Sequence, residues 1–149
     1  MDNKILLNVP LFKGLNEADL DKVLILAFVK EYKKGFTLFF EGMQGGVMYV
    51  ILEGAVDLLK KDREGNDNLL ATISKGDYMG ELSLIDDDSR SATAKISEDS
   101  KMLVITRKIF NDMMSKEPEI SLCIAVNIIK KLSERLKAMN EKMIKYEEK

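Results

Sequence analysis

The chain has 149 residues, 23 of them basic and 25 acidic, for a formal charge of −2, and it contains no histidine. That length supports one hydrophobic core without disulfides or a structural metal, and 46% hydrophobic with 32% charged residues is a globular mixture. The lack of histidine excludes His-dependent nucleophilic catalysis and imidazole metal sites, and the near-balance of charge argues against a dedicated nucleic-acid reader.

Phe12 and Leu15 form an apolar entry to the first helix, which Asn16 caps ahead of Glu17 and Asp19. Leu20, Val23, Leu24 and Ala27 then recur at helical spacing, and Gly35 ends the polar stretch from Lys30 to Lys34. The helical N-terminal part is expected over about 1–34. Between Thr37 and Ile105 the period is closer to two. Thr37 to Phe40, Val47 to Leu52, Ala55 to Leu59, Asn68 to Ile73, Ser91 to Ile96 and Met102 to Ile105 read as short strands, punctuated by Gly45-Gly46, Gly54, Gly65 and Gly76. This spacing predicts a mainly β protein with flanking helices, a double-stranded β-helix (jelly roll) over about 35–106.

Helical periodicity returns at Arg107, pauses before Pro118, and continues as a long C-terminal helix, the helical part spanning about 107–146. Leu122, Ala125, Ile129, Leu132, Leu136, Met139, Met143 and Tyr146 step by three and four, a sustained heptad series. A helix of roughly 29 residues is about 43 Å long, more than a small roll is wide. Part of its stripe must face something other than its own domain. The residues 1–149 read as a single domain, with no room after the long helix for a helix-turn-helix. Cys123 is the only cysteine and reads as a small core residue. With no apolar run of about 18 residues and no leader pattern after Met1-Asp2-Asn3-Lys4, the expected compartment is the cytoplasm, with no membrane contact.

The segment from Gly76 to Ala94 carries the chemistry. Gly80 permits an unusual φ or a close backbone approach, and the residues after it read as one helical turn whose first amides, those of Leu82 and Ser83 among them, lack intrahelical acceptors. Arg90, nine residues beyond Glu81, is placed to hold a phosphate at those amides. Glu81 would be repelled by that phosphate and is better suited to accept from a sugar hydroxyl. Leu58, Leu70 and Ile73 are apolar neighbours available to line a pocket. On the residues alone, a second reading stands beside it: Arg90 pairs with Asp86, Asp87 or Glu81 and binds nothing. The run Asp86-Asp87-Asp88 reads as a solvated turn rather than a metal site. No Walker or Gly-x-Gly-x-x-Gly sequence supports a triphosphate or dinucleotide site.

Taken together, Phe12-Lys13-Gly14-Leu15, Phe39-Phe40-Glu41-Gly42, Tyr49 to Val56, and above all Gly80-Glu81-Leu82-Ser83-Leu84 with Arg90-Ser91-Ala92-Thr93-Ala94 resemble the cyclic nucleotide-binding domain of catabolite-activator-type regulators and cyclic-nucleotide-dependent kinase regulatory subunits. The resemblance implies that Gly80 and the Leu82 and Ser83 amides form the ring-facing turn. It implies further that Glu81 takes the ribose 2′-hydroxyl, that Arg90 pairs with the cyclic phosphate, and that Ser91 adds a donor. Met139 and Asn140 fall where the long helix closes over the base. The chain departs from the family at Ser89, where many members have proline, and at Met139-Asn140, where a hydroxyl-rich pair is usual.

The expected function is therefore that of a non-enzymatic sensor for a cyclic purine mononucleotide, cAMP before cGMP, with no cofactor required. Occupancy would be relayed through the C-terminal helix. The expected partners are a second copy through residues 122–146 and an unidentified effector protein, with no nucleic acid on this chain. Two other readings are a structural or dimerisation module that lost its ligand, and a fragment of a longer transcription regulator.

Overall fold

Asn16 starts the first helix with a reciprocal cap. Its Oδ1 accepts from the Asp19 amide at 2.9 Å, and its own amide donates to Asp19 Oδ2 at 3.2 Å. The computed structural model describes residues 2–86 and 89–147. Two 3₁₀ turns, Asn3–Leu6 and Pro10–Phe12, lead into α1, Glu17–Leu26. Then come β1 (Phe28–Tyr32), β2 (Thr37–Phe39), β3 (Val47–Lys61), β4 (Asp67–Ser74), β5 (Tyr78–Met79), a 3₁₀ turn at Glu81–Leu84, β6 (Thr93–Thr106), α2 (Arg107–Lys116) and α3 (Pro118–Glu147). No helix among the described residues is long and apolar enough to cross a membrane.

The expectation of a jelly roll is not met. The strands form one sheet in the order β1-β6-β3-β4, with β2 also on β6 and β5 also on β3, in a mixed α/β arrangement that is not closed into a barrel. Two of the glycine- or polar-punctuated breaks inferred from sequence are not breaks. Gly54, at φ +93°, lets β3 run on through its bulges as one strand of 15 residues, and β6 likewise spans 14. Fewer, longer strands replace the many short ones that a double roll would need. The change from helix to strand also comes earlier than Gly35: β1 begins at Phe28 and runs into the charged stretch, antiparallel to β6 with Phe28 opposite Val104. It forms an edge, where side chains such as Lys30 and Glu31 stay exposed while the backbone pairs.

Alternation along β3 separates two apolar layers. Met48, Val50 and Leu52, with Leu103 and Ile105 of β6, pack under α1, α2 and the start of α3. Ile51 and Val56, with Ala94, Ile96 and Met102, face the other way and build a smaller layer with Phe39 and Met79. That second layer underlies the cavity described below. Pro118 opens α3, where its missing amide costs nothing. The buried face of α3 is Ile120, Ser121 and Ile124, whereas Leu122, Ile129, Leu136, Met139 and Met143 of the heptad stripe are at least 60% exposed. The stripe and the docking face are different faces of the same helix.

Candidate functional site

A cavity of about 410 Å³ opens beside the second layer. Its walls are Phe39, Leu58, Ile73, Tyr78 and Met79, residues 80–83, Asp86, residues 89–92 and Arg135. Among the residues singled out from sequence, Gly80, Glu81, Leu82, Ser83, Arg90, Ser91, Leu58 and Ile73 are thus brought together. Leu70 is not: it lies at the bulge where the β3–β4 register shifts and is 58% exposed. Met139 and Asn140 do not line the cavity either. They come one helical turn after Arg135, which carries them about 6 Å further along the axis.

Gly80 is required twice over. Its φ is +82°, and a Cβ there would fall 2.5 Å from the Val47 carbonyl oxygen and 2.7 Å from Arg90 Nη1. The close approach brings β3 and Arg90 onto the Glu81–Leu84 turn. Arg90 is only 8% exposed. Its Nη2 donates to the Val47 carbonyl at 2.8 Å, its Nη1 to Ser83 Oγ at 3.3 Å, and its guanidinium lies 4.2 Å from the Phe39 ring centroid. The backbone is pinned on both sides, with the Arg90 amide donating to Met43 O and the Gly42 amide to Arg90 O. Nε is buried without a hydrogen-bond partner, and no carboxylate among the described residues pairs with this arginine. Burial pulls its pKa below the ordinary value, with the Tyr49 phenol acting in the opposite direction. A desolvated cation with an unspent donor favours a bound anion.

Of the pairings considered from sequence, Glu81 goes elsewhere. It is 9% exposed and accepts from Arg135 Nη1 at 3.3 Å. Asp87 and Asp88 lie outside the described residues. Next to this pair, Lys131 binds Asp77 and sits 4.5 Å from the Tyr78 ring centroid. The Tyr78 hydroxyl is pushed up to about 12, by burial first and then by the charge of Glu81, with Arg135 opposing. The cavity therefore offers a buried cation, a carboxylate beside it, and apolar walls at Leu58, Ile73 and Phe39. That set suits a ligand with an anionic group, a hydroxyl and a flat apolar part. Among the described residues no cluster of three or more carboxylates or cysteines could hold a metal ion.

Arg135 was not anticipated as part of the site. One signal was available: it is one of only four arginines in the chain, and it stands four residues before Met139, on the same helix face. Phe39 and Tyr78 were missed because a single aromatic in a strand reads as core.

Residues 29–117 match the family model described as cyclic nucleotide-binding domain. The cyclic AMP receptor protein of Thermus thermophilus is 30% identical over 125 residues, covering 84% of this chain and 58% of that protein. Human cGMP-dependent protein kinase 2 is 36% identical over 116 residues, covering 76% of this chain and 15% of the kinase. The chain thus spans little more than half of the first relative and a small part of the second. Among solved structures, the Thermus thermophilus catabolite activator protein superposes with a TM-score of 0.79 at 29% identity, over 90% of this chain and 61% of that one. The N-terminal domain of a Streptomyces coelicolor transcriptional regulator gives 0.76 at 28% identity, over 87% and 91%. The chain belongs to the cyclic nucleotide-binding domain family.

Proposed function

We propose that this domain binds a cyclic purine mononucleotide, cAMP in preference to cGMP, and passes the bound state to its C-terminal helix. The observation that carries the reading is Arg90: buried, stacked on Phe39, and left with an unpartnered Nε and no carboxylate among the described residues. A cyclic phosphate would supply the missing charge and acceptor, with the Leu82 and Ser83 amides and Ser91 completing its shell. Glu81 takes the ribose 2′-hydroxyl, which requires Arg135 to yield or share that carboxylate. The purine lies against Leu58 and Ile73. Repacking of α3 then brings Met139 and Asn140 over the base, a shift of population between two positions of one helix. On this reading the nucleotide is bound and released unchanged.

The same reading makes residues 122–146 the dimer surface, supported by the exposed apolar stripe of α3. It places the protein in the cytoplasm with an effector protein downstream. Calorimetric titration with cAMP and with cGMP tests the ligand assignment. One site per chain with cAMP tighter is the expected result. Heat from neither nucleotide overturns the function, and tighter cGMP overturns the preference.

A further inference from the structure

Two arginines meet at Ser83. Arg90 donates to its hydroxyl, and Arg107 donates to its carbonyl from Nε at 3.2 Å and from Nη2 at 2.7 Å. Arg107 Nη2 also reaches the Asp86 carbonyl at 2.7 Å. One half-buried guanidinium thus gathers two carbonyls, that of Ser83 within the Glu81–Leu84 turn and that of Asp86 just after it. The fork geometry suits arginine and not lysine.

The links close into a circuit. The Arg107 amide donates to Gly46 O at 2.9 Å. The next carbonyl along, Val47 O, accepts from Arg90 Nη2 at 2.8 Å. The start of β3, the turn, Arg90 and the first residue of α2 are therefore held to one another around Ser83. From there α2 is packed on α3 through Phe110 and Met113 against Ile120 and Ile124.

We propose that Arg107 is a positioning residue for the nucleotide site. It is not part of the cavity wall. It holds the Ser83 carbonyl, which keeps the Ser83 hydroxyl under Arg90 Nη1 and so sets where the Arg90 guanidinium lies. Because the same residue begins α2, it also ties the ring-facing turn to the helical layer on which α3 rests. The effect on affinity rests on the proposed function above. The effect on the turn rests on the hydrogen bonds alone.

Two measurements separate these. In the ligand-free chain, Arg107→Ala should speed hydrogen exchange at the Ile85 and Asp86 amides, which donate to Leu82 O, by about tenfold or more, with α2 and the β3–β6 pairing unchanged. Equal speeding across α2 would make Arg107 only an anchor for that helix, and no change at the turn would remove its role; either overturns the proposal. In calorimetry with cAMP, Arg107→Ala should weaken binding about tenfold, but less than about twofold on an Arg90→Leu background, since it acts through Arg90. Arg107→Lys keeps the charge without the fork and should stay close to the alanine variant. Wild-type affinity in the lysine variant would show a simple charge effect and overturn the proposal. A wild-type chain that binds neither cyclic nucleotide defeats the proposed function, while the exchange comparison still decides what Arg107 does to the turn.

Discussion

The two halves of α3 share one helix and one apolar period, yet they are held in different ways. Residues 118–128 are docked by burial, with Ile120 at 2% and Ile124 at 0% exposure. Asn127 fastens them further, donating to Leu11 O at 2.7 Å and Lys13 O at 3.0 Å. Residues 129–147 leave Leu136, Met139 and Met143 each 60% exposed, and reach the cavity rim through the Lys131–Asp77 and Arg135–Glu81 ion pairs. The partly exposed Lys131–Asp77 pair contributes about 0–1 kcal/mol, and the half-exposed Arg135 compensates the buried carboxylate of Glu81. Each large buried apolar side chain of the first half, by contrast, contributes about 1.5–3 kcal/mol. The first half is therefore part of the core, and the second is held mainly through ion pairs, whose partners another polar group can replace. The proposed sensing role needs that division: a fixed root and a tip whose contacts a ligand can alter.

The sharpest way to break this contrast is to cut one apolar side chain in each half. Ile124→Ala should lower unfolding free energy in urea by about 2–5 kcal/mol, the cost of a cavity. Leu136→Ala, assayed at low protein concentration, should change it by less than about 0.5 kcal/mol. Similar losses in the two variants would mean that both halves are core.

Association is the next test. Leu136→Glu with Met143→Glu places charges on the exposed stripe, costing a proposed two-fold seam several kcal/mol, on the order expected for desolvated unpaired charges. Sedimentation equilibrium should show a dimer for the natural chain and a monomer for the double variant, with unchanged far-UV circular dichroism. A monomeric natural chain would end the dimer proposal.

Ligand response sharpens the contrast further. Saturating cAMP should slow hydrogen exchange in residues 131–146 and leave residues 120–128 as they were. Arg90→Leu should abolish that response and weaken binding by about 2 kcal/mol or more, because a buried phosphate loses its charged partner. An affinity within threefold of the natural chain would remove Arg90 from the site.

The smallest effect lies at alkaline pH, where Tyr78 contacts the second half through Lys131. Its hydroxyl is held at about 12 against an ordinary 10.0. The folded state thus holds this proton more tightly than the unfolded one, so the associated stability is full below pH 10 and is lost as pH rises toward 12. Tyr78→Phe should make the decline between pH 10 and 12 shallower, though not flat, since Tyr32 is also raised to about 12. An identical slope in the variant would show that Tyr78 does not contribute.

The site was more legible in sequence than the sheet was. Gly80, Glu81, Ser83 and Arg90 lie within eleven consecutive positions, so their chemistry and spacing could be read directly. Strand continuity through Gly54 could not, because a glycine that ends a strand and one that permits a bulge look the same until a neighbour is placed against them. Arg135 is 54 residues from Glu81, and only packing brings them together.

What the sequence determined by itself is local: the Asn16 cap, the helix after Pro118 with its heptad stripe, and the turn that only glycine can enter at position 80. These depend on φ preferences, side-chain hydrogen bonds within a few residues, and the 3.6-residue period, all of which act without the rest of the chain. Tertiary structure alone decided that the stripe of α3 is not the face that docks, that Glu81 meets Arg135 while Arg90 keeps a spare donor, and that the sheet stays open. Each of these depends on which distant surfaces compete for the same buried area or the same charge. That competition is settled only when the whole chain packs.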